Sequence, residues 1–356
     1  MQPTPPTPPQ VTVIICHHTG RELLRRTLQS VQRSVGVSYH VRVITSDATM
    51  SAADNLLFRQ EFSTGDNPVI FFYEEGGPAH KRNYGVVHGG LVKSKYLVFL
   101  DDDVIIGVYT LYELFMNMEE HLDVGFGFCK IYNAERRKEF DDCGSFLSPT
   151  GFLWARAGNA QLDKGQYDTA EPILSSKSAT CIIRKDLFLK VGGFAPDFYF
   201  LAEETQLAYK VWLSGSQVWY FPSAHSWHYF NTSQKPKETY YSLRKIHFLG
   251  SRNYLLFLLT CLGTSRLLAI IPIHWTIWWI AVIGFLLRGE WKRAFLISEG
   301  LLYPICHPRV VIKKRRQVQS LRIRSDKEIF QYGFRCPSFS YYAGRMRRYL
   351  TQQTHG

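Results

Sequence analysis

Short apolar runs alternate with amphipathic stretches through roughly the first hundred residues. Val11–Cys16 reads Val-Thr-Val-Ile-Ile-Cys and, with no helical period, predicts a first buried strand. Leu24, Leu28, Val31 and Val35 then recur at helical spacing with Arg and Gln between them, which predicts an amphipathic helix over Gly20–Val35. Val41–Ile44 and Val69–Tyr73 predict two further strands, with a helix over Ala52–Phe62 between them. Glu75–Gly85 is a glycine and proline turn opening into a helix with a basic face. Tyr96–Leu100 is again apolar and runs straight into Asp101, Asp102 and Asp103. Further on, Ala202–Ser214 carries Leu207, Val211 and Ser214 on one side and predicts a second amphipathic helix. Gly215 is its C-cap, and Gln217–Phe221 a strand. This alternation argues an α/β fold with an open, mostly parallel sheet, whose ligands sit beyond the carboxyl ends of the strands.

The pattern changes after His228. Leu255–Leu262 is apolar, and Leu267–Leu287 carries no formal charge, long enough to cross a bilayer at roughly 20 residues per span. Pro272 and His274 interrupt it, while Trp275, Trp278 and Trp279 suit a headgroup boundary, so these helices span, re-enter or lie in the interface, or else form a buried hairpin. Arg288, Lys292, Arg293, Lys313–Arg316, Arg322 and Arg324 add a basic surface suited to anionic lipid. The expected organisation is a proline-rich disordered tail over 1–10, a catalytic domain over 11–235 and a helical, basic, membrane-associated region over 236–356.

The chain has 356 residues, 46% of them apolar, and a formal charge of +12, which favours anionic partners: nucleotide-sugars, lipid surfaces or nucleic acid. No helix-turn-helix, zinc or RNA-binding signature points to nucleic acid, and none is expected as a partner. Seven cysteines without Cys-x-x-Cys spacing argue a reducing compartment, and the short run at Val11–Cys16 is no secretory signal.

Three consecutive carboxylates at the mouth of a core strand repel one another, so a cation is expected there. Mg²⁺ or Mn²⁺ takes one or two carboxylates and completes its shell with water and substrate phosphate. A solvated acidic turn is the alternative. Glu203 and Glu204 open a helix, where acids complement the helix dipole and where one can also serve as a general base.

Taken in order, these segments over Val11–His228 resemble the family 2 glycosyltransferases of GT-A fold, in particular the membrane-associated rhamnosyltransferase-like type. Val11–Gly20 is similar to the strand and turn that meet the donor nucleobase, and Leu100–Val104 to the metal-binding D-x-D. Ser178–Arg184 with Val191–Phe194 is similar to the acceptor-side strand and turn. Leu201–Lys210 is similar to the helix that carries the base, and Ser251–Tyr254 to an Arg-Asn pair that follows the catalytic domain. The resemblance implies a GT-A fold and a nucleotide-sugar site drawing on His17, Thr19, Asp47, Lys81, Arg82, Asn83, Asp101 and Asp102. Metal ligands would be Asp103, Asp101 and His228, and the base Glu204, with Glu203 beside it. Asp101 would face the ribose or share the metal through water, and Asp102 could do either. The sequence departs from the family at Glu204, where Asp is usual, and at Gln206, which replaces a second Asp.

The expected activity is inverting, metal-dependent transfer of a sugar from a nucleoside diphosphate to a lipid-linked or polysaccharide hydroxyl at the cytoplasmic face of a membrane. Trp154 and Arg156, in a loop over Asp141–Gln166, and Tyr167 just after it are candidates to line the donor pocket, with a mobile, solvated loop as the alternative. A metal-dependent nucleotidyltransferase, or a non-catalytic nucleic-acid or membrane-binding protein, are the alternatives.

Overall fold

The computed structural model describes residues 9–18, 20–50, 52–63, 67–90, 92–157, 161–229 and 243–351. Most of the expected tail, Thr19 and the expected boundary at 235/236 lie outside these residues. Strands β1 (Val11–His17), β2 (Tyr39–Thr45), β3 (Val69–Tyr73) and β4 (Tyr96–Asp101) are joined by helices α1 (Arg21–Gln32), α2 (Ala52–Phe62) and α3 (Pro78–Val87). β1 pairs in parallel with β2 and β4, and β2 with β3. Along β4, Leu97 and Phe99 enter one core while Tyr96, Val98 and Leu100 enter the other. The pleat's period of two therefore has apolar demand on both faces, and no polar alternation shows in the sequence.

The chain continues through β5 (Val104–Ile106), α4 (Thr110–Glu120), β6 (Val124–Asn133), β7 (Phe140–Asp142), β8 (Ser145–Leu147), β9 (Leu153–Ala155), β10 (Glu171–Pro172), β11 (Thr180–Arg184), α5 (Lys185–Lys190), α6 (Glu203–Leu213) and β12 (Gln217–His228). The sheet order is β10-β12-β6-β11-β4-β1-β2-β3. β11 runs antiparallel between β4 and β6, so its amino end, Ser178–Ala179, meets the carboxyl end of β4.

Three expectations are corrected. The segment expected as a loop contains β7, β8 and β9, because Cys143, Phe146 and Leu147 are core residues. β12 does not stop at Phe221. It continues to His228, because an irregularity between Phe221 and His225 accommodates Pro222, which has no N–H for the ladder. Helix α6 is buried on all sides instead of being amphipathic. Its outer face is covered by the C-terminal helices, with Tyr209 5.6 Å from Phe257 and Trp212 stacked at 5.6 Å on Tyr332.

Those helices run over Gly250–Cys261, Thr264–Leu287, Trp291–Cys306, Pro308–Gln319, Asp326–Gly333 and Phe339–Thr351. Among the described residues, Thr264–Leu287 is the single helix long and apolar enough to cross a membrane, and 33% of its apolar stretch is buried in the chain. Trp278 belongs to the bundle core, whereas Leu268, Ile273, Trp279, Ile280 and Ile283 face outward. Part of the basic run is structural: Arg315 donates to the carbonyls of Leu259 and Leu262, Arg322 pairs with Asp326, and Lys314 with Asp197. Lys292, Arg309, Lys313 and Arg316 remain exposed. All seven cysteines are free thiols.

Candidate active site

A cleft of about 410 Å³ opens at the carboxyl ends of β1 and β4, where sheet topology places ligands in such folds. Its walls include Lys81 and Arg82 from α3, Asp101–Asp103, Ser178 before β11, Tyr199–Leu201 and Glu203–Glu204 at the start of α6, and His228. Antiparallel pairing of β5 with β12 sets His228 opposite Val104, and the Tyr229 amide donates to the Asp103 carbonyl at 3.0 Å. One ligand atom each from Asp101, Asp103 and His228 lies within 4.8 Å of the others.

His228 is oriented from both sides. Its Nε2 lies 3.3 Å from Asp103 Oδ1, and its Nδ1 lies 2.9 Å from Asp141 Oδ2. Lys177 Nζ in turn donates to Asp141 Oδ1 at 2.5 Å. Burial opposes charge on this imidazole, yet the two carboxylates win and raise it to about 9. Two carboxylates and an imidazole whose second nitrogen is held by an outer carboxylate form a donor set that fits a divalent ion.

Asp102 turns the other way. His17 Nδ1 meets its Oδ2 at 2.8 Å, and the His18 amide donates to the same oxygen at 3.0 Å. His17 is fully buried, with Nε2 3.8 Å from Asp47, so His17 and Asp47 stand behind the cleft instead of lining it. Of the two neighbouring histidines, His18 is the one that reaches the cleft. Lys81 Nζ donates to the His17 carbonyl at 2.7 Å and to Ser46 Oγ at 3.0 Å, and burial lowers its pKa. Asn83 does not line the cleft either. Both ends of its amide are taken by the Phe194 backbone, at 2.8 and 2.9 Å. Trp154, Arg156 and Tyr167 are also elsewhere, because Arg156 pairs with Glu171 and lies over the rings of Tyr167 and Tyr220.

Arg82, 2% exposed, joins the two acidic groups of the cleft. Its Nη2 donates to Asp101 Oδ1 at 2.8 Å and its Nη1 to Glu203 Oε1 at 3.5 Å. Glu203 is therefore a buried partner of Arg82, while Glu204 is half-buried and lines the cleft. Burial, then the adjacent charge of Glu203, raises the Glu204 carboxyl well above 4.5. The backbone leading into α6 is strained: Tyr199, Leu201 and Ala202 have φ of 58°, 72° and 65°. Each such non-glycine residue costs on the order of 1–3 kcal/mol, and strain of this kind gathers at functional sites.

Asp141, Lys177, Tyr199 and Phe200 carry no signal in the sequence that marks them as site residues. Asp141 and Lys177 come from segments with no periodic signal. The run Phe198–Leu201 gives no glycine or proline to mark its left-handed backbone.

The profile "Glycosyltransferase like family 2" matches residues 8–244, about two thirds of the chain. No curated protein matches it in sequence. Among solved structures, Staphylococcus aureus TarS 1-349 with UDP-GlcNAc is similar at 18% identity and TM-score 0.52, covering 87% of this chain and 90% of that one. The mannosyltransferase PcManGT of Pyrobaculum calidifontis with GDP-Man and Mn²⁺ is similar at 16% identity and TM-score 0.51, covering 88% and 86%. GalNAc-T7 with UDP, GalNAc and Mn²⁺ is similar at 14% identity and TM-score 0.51, over 70% of this chain and 50% of that one. This chain thus spans half the length of GalNAc-T7. At these identities the likeness is one of fold. Matched over most of its length, the chain belongs to the family 2 glycosyltransferases, enzymes that use nucleotide-sugar donors, and has the GT-A fold.

Proposed function

We propose that the chain is an inverting, metal-dependent glycosyltransferase acting on a lipid-linked or polysaccharide hydroxyl at the cytoplasmic face of a membrane. One observation carries this reading: an Asp-Asp-His ligand set and a half-buried Glu204 share one cleft at the strand ends. Asp101, Asp103 and His228 would hold Mn²⁺ or Mg²⁺. Mn²⁺ in two of the similar structures supports that choice. When bound, the dication neutralises charge that builds on the departing diphosphate. Lys81, Arg82, Asp102 and His18 line the cleft on the side assigned to the donor, with His17 holding Asp102 from behind and Asp47 on the far side of the His17 ring. Thr19 is assigned to the nucleotide by resemblance alone. Glu204 removes the acceptor hydroxyl proton as that oxygen bonds to the anomeric carbon. The bond from that carbon to the diphosphate breaks, and the nucleoside diphosphate leaves with the electron pair. Glu203, held by Arg82, keeps a negative neighbour beside Glu204 and so strengthens it as a base.

Residues 11–235 would form the catalytic part and 236–356 the membrane-facing part. The outward apolar side of Thr264–Leu287 and the exposed cations Lys292, Arg309, Lys313 and Arg316 support contact with an anionic lipid surface. The test is a nucleotide-sugar panel with Mn²⁺, following release of nucleoside diphosphate. Turnover is expected with one donor and is expected to vanish in Asp103→Ala and Glu204→Gln. Pyrophosphate as the product, or unchanged turnover in both variants, would overturn the reading.

A further inference from the structure

The strained turn before α6 is held by a pair of residues far along the chain. Carbonyls of Phe198, Phe200 and Leu201 converge on a single amide nitrogen, Asn253 Nδ2, at 2.8, 2.8 and 2.9 Å. An amide has two hydrogens, so three acceptors share them. Asn253 is fully buried in the helix Gly250–Cys261, and its Oδ1 accepts from Arg252 Nε at 2.9 Å, which fixes the way the amide faces. Arg252 Nη2 donates to the Asp197 carbonyl at 2.6 Å, and Lys314 pairs with the Asp197 carboxylate. Apart from the Arg252–Asn253 bond, these contacts land on residues 197–201, at or beside the residues with φ of 58°, 72° and 65°. The other wall of the turn is equally close: a Cβ on Gly77 would lie 2.6 Å from the Tyr199 carbonyl.

We infer that Arg252 and Asn253 are positioning residues of the catalytic site, holding Phe198–Ala202 in the shape that sets Glu203 and Glu204 against the cleft. Left-handed backbone in Tyr199, Leu201 and Ala202 persists only where surrounding contacts over-determine it. Asn253 supplies such contacts, and Tyr199, Phe200 and Leu201 are themselves walls of the cleft. Only a donor fits this place. Asp has the same shape, but its oxygens would face three carbonyl oxygens. The C-terminal helices thus do more than cover α6, since they set the geometry of its first turn.

The role of Glu204 rests on the glycosyl-transfer reading, so the test has one arm that does not. Amide hydrogen exchange of Asn253→Asp is expected to show protection lost over 198–204, with β1 and β4 unchanged. Unchanged exchange over 198–204 would overturn the inference whatever the activity. In turnover assays, Asn253→Asp is expected to lower kcat by about tenfold or more, as a misplaced group does. The affinity for nucleoside diphosphate with Mn²⁺ stays as in the parent, and the acid limb of the kcat profile moves. Asn253→Gln, which keeps the donor, recovers part of kcat. Equal loss in donor affinity and kcat, with no shift in the acid limb, would mean that Asn253 serves folding alone. A parent chain that turns over no nucleotide-sugar would end the proposed function, while the exchange experiment would still decide the clamp.

Discussion

His228 Nδ1 and Asp141 Oδ2 lie 2.9 Å apart, which commits the other ring nitrogen to the side of Asp101 and Asp103. An outer carboxylate of this kind fixes the ring and makes it a better ligand. Asp141→Asn is therefore expected to weaken Mn²⁺ binding by roughly 10–100-fold, measured by calorimetric titration in the presence of a nucleoside diphosphate. Equal affinity in the variant would remove Asp141 from the site.

Arg82 is the buried cation between Asp101 and Glu203. Replacing it by Met strands the buried Glu203 carboxylate and leaves the partly exposed Asp101 without its partner; breaking a buried pair costs up to about 3–5 kcal/mol, and the exposure of Asp101 lowers its share. Urea unfolding should show that loss. A second change, Glu203→Gln, should return part of it by removing one of the stranded charges.

The raised pKa of Glu204 has a defined sign. A base must be deprotonated to act, so kcat should climb with pH along a limb lying above 4.5, the ordinary glutamate value. Glu204→Gln should flatten that limb and lower kcat by roughly 10²–10⁴-fold. Stability runs the opposite way. The folded state favours the protonated carboxyl, so this contribution is full below 4.5 and fades as pH rises through the raised value. A limb that survives in Glu204→Gln would move the role to another group.

Lys313 and Arg316 are exposed on one basic helix, and Trp279 and Ile280 on the apolar one. Lys313→Glu with Arg316→Glu should weaken sedimentation with phosphatidylserine vesicles, each cation contributing about 1 kcal/mol, and salt should mimic the change. Trp279→Ser with Ile280→Ser should weaken it without altering the salt response. Binding unaffected by either pair would place the lipid contact elsewhere.

The sheet was legible in the sequence where double burial left unbroken apolar runs, as in Val11–Cys16 and Tyr96–Leu100. The acidic triplet raised the expectation of a cation because like charges stand at a strand end, and the structure brings Asp101 and Asp103 together with His228. What the three aspartates do individually was not, since their division depends on partners far along the chain: Arg82 for Asp101, His17 for Asp102, His228 for Asp103. Asn83 and Asp47 looked like donor contacts from their place in motifs, yet the Asn83 amide satisfies the distant backbone of Phe194 and the Asp47 carboxylate the local turn at Thr49. The buried outer face of α6 was hidden because Lys210 and Gln206 read as surface residues. Lys210 instead donates to the Gly193 carbonyl, and burial lowers it to about 8. Nucleotidyl transfer and a purely binding role were open on the triplet alone, and family membership over residues 8–244 decides for glycosyl transfer.

Because Tyr209 and Trp212 pack against Phe257 and Tyr332, the two halves of the chain share one interior. A chain cut after β12 would bare that side of α6 to water and release the turn beside it. Heating the intact chain should give a single melting transition, since neither half keeps its packing without the other.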